Sequence, residues 1–226
     1  MKYRLLLGII PILLAGPAMA VCSVPQPRLV CAEYFASKVV VEATLVKVRT
    51  IGDEDAYVYS LRVDRTIRGH IPGVFRVYEE NNSGRAAFDW KIGRKYLLFL
   101  WHSGPEKSWE VDGCGNSGPL SRAKAVLEQI NAIDTHSDGG VIHGRVSEYA
   151  AVVPVPVVRV EARGANGRYT ATTNSQGDFE IRVPAGRYVL RAASFDTDPF
   201  SYENPRDLQI EPGGCVQVQL APRSQP

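Results

Sequence analysis

Four cysteines, Cys22, Cys31, Cys114 and Cys215, and four histidines, His70, His102, His136 and His143, are the residues of this 226-residue chain best equipped for chemistry. Cysteine can ligate a soft metal, attack as a thiolate or form a disulfide, and spacing separates these roles. No Cys-x-x-Cys pair occurs, and among the histidines only His136 and His143 fall near each other. Zinc sites favour shorter and more regular spacing with further ligands, so the expectation is no metal centre and histidines that sit on the surface or in loops. Disulfides are the expected use of the cysteines, and four cysteines allow three connectivities.

The remaining reactive types read as structural. Gly115-Asn116-Ser117-Gly118-Pro119 has the outline of a serine-protease nucleophile turn. That mechanism needs serine, histidine and a carboxylate to converge. Here Asn116 stands where an Asp is usual, no upstream Ala-Ala-His-Cys occurs, and there is no Gly-x-Ser-x-Gly elbow. The segment is expected to be a loop in which Ser117 caps a helix begun at Pro119. Asp53-Glu54-Asp55 and Glu79-Glu80 are expected to be solvated loop and strand-edge charges, because no Asp-x-Asp-x-Asp-Gly calcium loop is present. Asp196, Asp198 and Glu203 lie together in a Pro-containing loop and lack that pattern as well. No catalytic residue and no cofactor is expected.

Residues 1–20 predict a secretory signal peptide: Lys2 and Arg4, an apolar run from Leu5 to Leu14, then Ala18-Met19-Ala20 at the cleavage site. The apolar run is shorter than the ~20 residues that span a bilayer. The exported chain is expected to start at Val21, which places the cysteines in an oxidising compartment, periplasmic or secreted. Of 26 basic and 24 acidic residues, the leader holds two of the basic ones, and acids and bases then balance on either side of residue 139. Nucleic-acid binding calls for a basic excess, so it is excluded as an expectation. No later apolar run has transmembrane length. The chain after the leader suits two domains of about 100 residues each.

The first of these spans residues 21–136. Val39 to Val48, Ala56 to Val63, Val74 to Tyr78, Lys95 to Trp101 and a short piece around Trp109 predict five strands. A helix then follows from Pro119, with Ala123, Val126, Leu127, Ile130 and Ile133 on one face. Five strands and a closing helix suit a small OB-type barrel, in which closure removes the exposed sheet edges.

Cys22-Ser23-Val24-Pro25, Tyr34-Phe35 ahead of the Val39–Thr44 strand, Ile92-Gly93-Arg94-Lys95-Tyr96, and Cys114-Gly115 leading through Pro119-Leu120 into an Ala-containing helix occur in that order. From Cys22 to Ile133 this resembles the netrin-like module of tissue inhibitors of metalloproteinases. The resemblance implies a partner-binding segment at Cys22, Ser23, Val24 and Pro25, and a metalloproteinase as one partner. In those inhibitors the chain begins with the cysteine, whose amine and carbonyl bind the protease's zinc. Here Val21 is expected to precede Cys22, and the paired Cys-x-Cys start is absent, so the resemblance supports the fold more than inhibition. By position in this module, Cys22 with Cys114 would tie the N-terminal segment to the barrel, and Cys31 with Cys215 would cross-link the domains. The other two connectivities stay open.

The second domain, residues 140–222, follows a short Ser137–Gly140 linker. Val158, Val160 and Ala162 alternate with Arg159, Glu161 and Arg163, the period of a half-buried strand. Asn174–Gly177 and Pro184–Gly186 read as turns, the second followed by Tyr188, Leu190 and Ala192 on one face. This order resembles the carboxypeptidase regulatory-like domain, a prealbumin-like sandwich of seven antiparallel strands, which implies a non-enzymatic accessory module. Phe195, Phe200 and Tyr202 fall in a long loop that either binds a partner or folds back over the sandwich, folding back being the preferred reading.

Together these expectations describe a mainly β, exported, non-enzymatic protein that binds other proteins at the cell envelope. The competing readings are a metalloproteinase inhibitor working through Cys22, and a carbohydrate-binding module using Trp101, Trp109 or Tyr202.

Overall fold

The computed structural model describes residues 22, 27–53, 55–82, 89–103, 108–148, 153–192, 195–197 and 208–222. The fold is mainly β, with two sheets and a separate apolar core for each.

The first sheet is built from β1 (Val39–Ile51), β2 (Ala56–Arg68), β3 (Val74–Glu80), β4 (Lys95–Ser103), β5 (Ser108–Val111) and the two-residue β6 (Gly118–Pro119). β1 pairs with β2, β2 with β3, β3 with β5, β5 with β4, and β4 back with β1. Five strands thus close into an OB-type barrel. The β3–β5 contact is parallel, because the chain crosses the barrel to reach it. β1 serves two neighbours along its length, and register shifts at Val40/Val41, Glu42/Ala43 and Leu45/Lys47 let it bend to do so.

Val39, Val41, Ala43 and Leu45 point into the barrel with Leu61, Phe75, Tyr96, Leu98 and Leu100. Val40, Leu97 and Phe99 point outward, where Val30 and Ile130 from two helices, and Ala123 just ahead of the second, cover them. The consecutive apolar residues Val39–Val41 of β1 and Tyr96–Trp101 of β4 follow from burial on both faces. Each such side chain contributes ~1.5–3 kcal/mol.

Those helices are α1 (Val30–Ala36) and α2 (Lys124–Asn131). α1 falls outside the sequence-based expectation. Seven residues do not sustain a helix alone, and this one has no side-chain N-cap, so packing of Val30 and Ala32 and a disulfide at Cys31 hold it. α2 starts later than predicted: Pro119 pairs with Tyr96 in the sheet, Leu120–Arg122 form a 3-10 turn, and the α-helix begins at Lys124. Ser117 is not its cap; the Ser117 hydroxyl accepts from the Phe99 amide at 2.9 Å. Glu79, expected at a solvated edge, is buried, accepting from the Trp90 indole at 3.2 Å, whereas Glu80 is exposed.

The second sheet comprises β7 (Gly139–Glu148), β8 (Val153–Pro154), β9 (Arg159–Gly164), β10 (Gly167–Thr172), β11 (Asp178–Pro184), β12 (Gly186–Ala192), β13 (Phe195–Thr197), β14 (Leu208–Ile210) and β15 (Cys215–Pro222). Its strand path folds over so that β9, β12 and β14 face β7, β11 and β15 across a core that includes Ile142, Val160, Ile181, Tyr188, Ile210 and Val218. Gly177 takes φ +73° in the Asn174–Gly177 turn. Among the described residues the sandwich departs from all-antiparallel pairing at one ladder: β15 runs parallel to β7, from Cys215 opposite Val141 to Leu220 opposite Val146. First and last strands are joined by the whole sandwich, so no hairpin constrains their direction. Phe195 lies in a strand rather than a loop, half-buried against the core. Among the described residues no helix is long and apolar enough to cross a membrane.

Candidate functional site

The segment leading into α1 is fixed at both ends of its path. Exposed Cys22 is bonded to Cys114, 92 positions on, in the loop that follows β5. That loop turns on Asp112, whose Oδ1 accepts the Cys114 amide at 2.8 Å. Asp112 Oδ2 pairs with Arg28 at 2.8 Å, with side-chain exposures of 17% and 4%.

Behind this pair, Glu33 on α1 is 1% exposed. Glu33 Oε2 accepts the Asn116 amide and the Asn116 Nδ2, each at 2.6 Å, and Asn116 Nδ2 also donates to the Arg28 carbonyl at 3.2 Å. Oε1 has no hydrogen-bond partner. A Cβ on the residue between Cys114 and Asn116, Gly115, would lie 2.1 Å from that Oε1, so any larger residue there would force the Glu33 carboxyl to shift. Burial raises the Glu33 pKa above 4.5, against the lowering effect of the Asn116 hydrogen bonds and the Arg28 charge, with Asp112 adding to the rise. The network locks segment, helix and loop together, and the carboxyl at its centre is shut off from solvent.

A second set of contacts ties the same segment to the sandwich. Cys31 is bonded to Cys215, with Cα atoms 5.8 Å apart and 184 positions between them. Gln217, two residues along β15, accepts the Leu29 amide at 2.8 Å and donates to the Pro27 carbonyl at 2.9 Å. Arg68 at the end of β2 pairs with Glu211 at 2.7 Å and lies 5.1 Å from the ring centres of Tyr34 and Phe35. Gly213, at φ +66°, packs so closely that a Cβ would sit 1.8 Å from the Asp134 carbonyl oxygen.

His143 stands beside this junction. It belongs to β7 and is half-buried, not a surface or loop residue as its sequence setting suggests. Nδ1 lies 3.8 Å from Glu180 Oε2 on the neighbouring strand. Burial lowers its pKa below 6.5; Glu180 opposes this and Arg182 reinforces it. Cys31, His143 and Cys215 are the group among the described residues whose ligand atoms meet as a metal would require, all within 4.8 Å of one another. With the disulfide formed, neither sulfur is a thiolate.

Ser23, Val24 and Pro25 lie outside the described residues, as do residues 1–21, Phe200 and Tyr202. Asp198 and Glu203 lie outside them too. Trp101 and Trp109 are half-buried, Trp101 donating to Glu110 at 3.3 Å and Trp109 packed on His102 at 4.9 Å between ring centres. His136 is exposed and apart from the Cys31–Cys215 group. Sequence reasoning passed over Glu33 and Gln217, and it gave no role to Asn116 or His143. Each gains its role from a partner more than 30 positions away.

No protein-family model and no curated protein matches the chain. Among solved structures, the TIE protein of Bacillus anthracis is similar over 82% of this chain and 31% of its own, at 12% identity and a TM-score of 0.29. This chain therefore spans about a third of that one. A minor pilin of the gram-positive pathogen Streptococcus agalactiae is similar over 84% of this chain and 85% of its own, at 13% identity and a TM-score of 0.26. Neither likeness bears on the function of this chain.

Proposed function

We propose that this is an exported, non-enzymatic binding scaffold that works through protein contacts at the cell envelope, with residues 22–29 as its contact segment. One observation carries this reading: the segment is held on one side by Cys22–Cys114 and Arg28–Asp112, and on the other by Cys31–Cys215 and Gln217. A segment anchored at both of its ends before it meets a partner has less conformational freedom to lose on binding than a free one, which raises affinity for a given contact area. The netrin-like and carboxypeptidase regulatory-like resemblances of the two halves agree with such a role. A photo-crosslinking residue at Pro25 in the exported protein tests it. Discrete adducts with envelope proteins are expected from Pro25 and not from exposed Arg168 on β10. Equal labelling from both positions, or none from Pro25, would sink the idea.

Inhibition of a metalloproteinase is the second reading, supported by the bond that fixes Cys22 on the barrel. It requires a free amine on Cys22. Peptide mass spectrometry of the exported chain decides: a terminus at Cys22 makes a titration against zinc proteases worth running, and one at Val21 removes the chelating amine.

A further inference from the structure

Three side chains from distant parts of the chain converge at the junction of barrel and sandwich. Cys31 comes from α1, Cys215 opens β15 and His143 lies in β7, and one sulfur or nitrogen from each falls within 4.8 Å of the others. The parallel β7–β15 ladder makes this possible. It sets Cys215 opposite Val141 and Gln217 opposite His143, so the β15 face that meets α1 and the segment before it has the imidazole alongside.

We propose that reduction of the Cys31–Cys215 disulfide turns this junction into a two-thiolate, one-imidazole site for a thiophilic cation, zinc being the natural occupant. The reductant is a dithiol. It gives two electrons and two protons to the bridge, leaving two protein thiols while it becomes a disulfide itself, and metal binding then releases the two thiol protons. Little movement is needed. Two Zn–S bonds of ~2.3 Å at a tetrahedral angle put the sulfurs just under ~4 Å apart, a spacing that Cα atoms 5.8 Å apart accommodate by side-chain rotation.

The surroundings fit the same chemistry. Glu180, paired with His143 across the β7–β11 ladder, has Oε2 3.8 Å from Nδ1, so a small side-chain movement would bring it into the place of the outer carboxylate that commonly orients a metal-bound imidazole. A groove of about 750 Å³ opens onto the three residues, bordered by Leu29, Gln129, Ile133 and Arg182, so both reductant and ion have a path and the fourth position can take water. Two sulfurs and a nitrogen select zinc or copper(I) over calcium or magnesium. Either state, disulfide or metal, links α1 to the sandwich.

Zinc binding by the full exported chain, before and after reduction with a phosphine, tests the proposal, with cobalt(II) spectra counting the thiolates. The oxidised protein should bind no ion, and the reduced protein one ion with two thiolates. His143→Ala should weaken binding by at least about 10-fold, and Glu180→Gln should do so by about 10-fold while leaving two thiolates on the metal. The Cys22→Ser/Cys114→Ser variant should bind as the wild type does. Equal affinity for reduced wild type and His143→Ala would overturn the site. So would binding that survives Cys31→Ser/Cys215→Ser, or a reduced chain that unfolds and is not restored by zinc.

Discussion

Glu33 Oε2 lies 2.6 Å from both the amide nitrogen and Nδ2 of Asn116, 83 positions further along the chain. This pair joins α1 to the loop after β5, and it leaves a carboxyl where water does not reach.

A pH dependence follows with a definite sign. The folded-state pKa of Glu33 stands above 4.5, chiefly through burial. The folded protein therefore holds this proton more tightly than the unfolded chain does. That contribution is fully present below pH 4.5 and is lost as pH rises through the folded value. Denaturation curves collected across that range for wild type and Glu33→Gln should converge at low pH and separate at neutral pH, with the variant gaining relative stability. Parallel pH profiles would refute this.

Gly115→Ala places a methyl group 2.1 Å from Glu33 Oε1, which is buried with its helix. The expected loss is about 1–3 kcal/mol, as for other overpacked interiors. Urea denaturation measures it, and combining the change with Glu33→Ala, which vacates the space, should recover part of the loss.

Arg28→Met leaves Asp112 without its buried partner, at an expected cost of about 3–5 kcal/mol. Asp112→Asn in the same chain removes the stranded charge and keeps an acceptor for the Cys114 amide. The double variant should be more stable than Arg28→Met alone. Simple additivity of the two losses would show that the pair is not coupled.

His143 should titrate below 6.5 by NMR of the oxidised protein, because burial disfavours its charged form. Its contribution to stability is present above 6.5 and fades as pH falls through the folded value. Glu180→Gln takes away the one influence that raises the pKa, so the midpoint should fall further. An upward shift would mean that the Glu180 carboxylate does not act on the ring.

Much of the architecture is legible in residue order because it rests on local patterns. The alternation of Val160 and Ala162 with charged neighbours, the Gly177 turn, and the apolar runs of β1 and β4 all reflect period and turn chemistry, and the mainly β fold follows from them. α1 was not legible. Its seven residues carry no cap and no helical stripe long enough to read, and it forms because Val30 and Ala32 pack on the barrel while Cys31 is tied to β15. Nor was the end of α2's lead-in, since Pro119 and Ser117 are claimed by the edge of β4.

Four cysteines behind a predicted leader fixed what kind of bond to expect, and nothing in their spacing chose among three pairings. Only the folded chain decides that, because the pairing depends on Cα atoms 92 and 184 positions apart coming within 5.6 and 5.8 Å. The same is true of His143. In the sequence it is an isolated histidine near a linker. The parallel β7–β15 pairing, a non-local choice that no hairpin dictates, sets it beside Cys215 and so creates the one cluster of metal-binding atoms among the described residues.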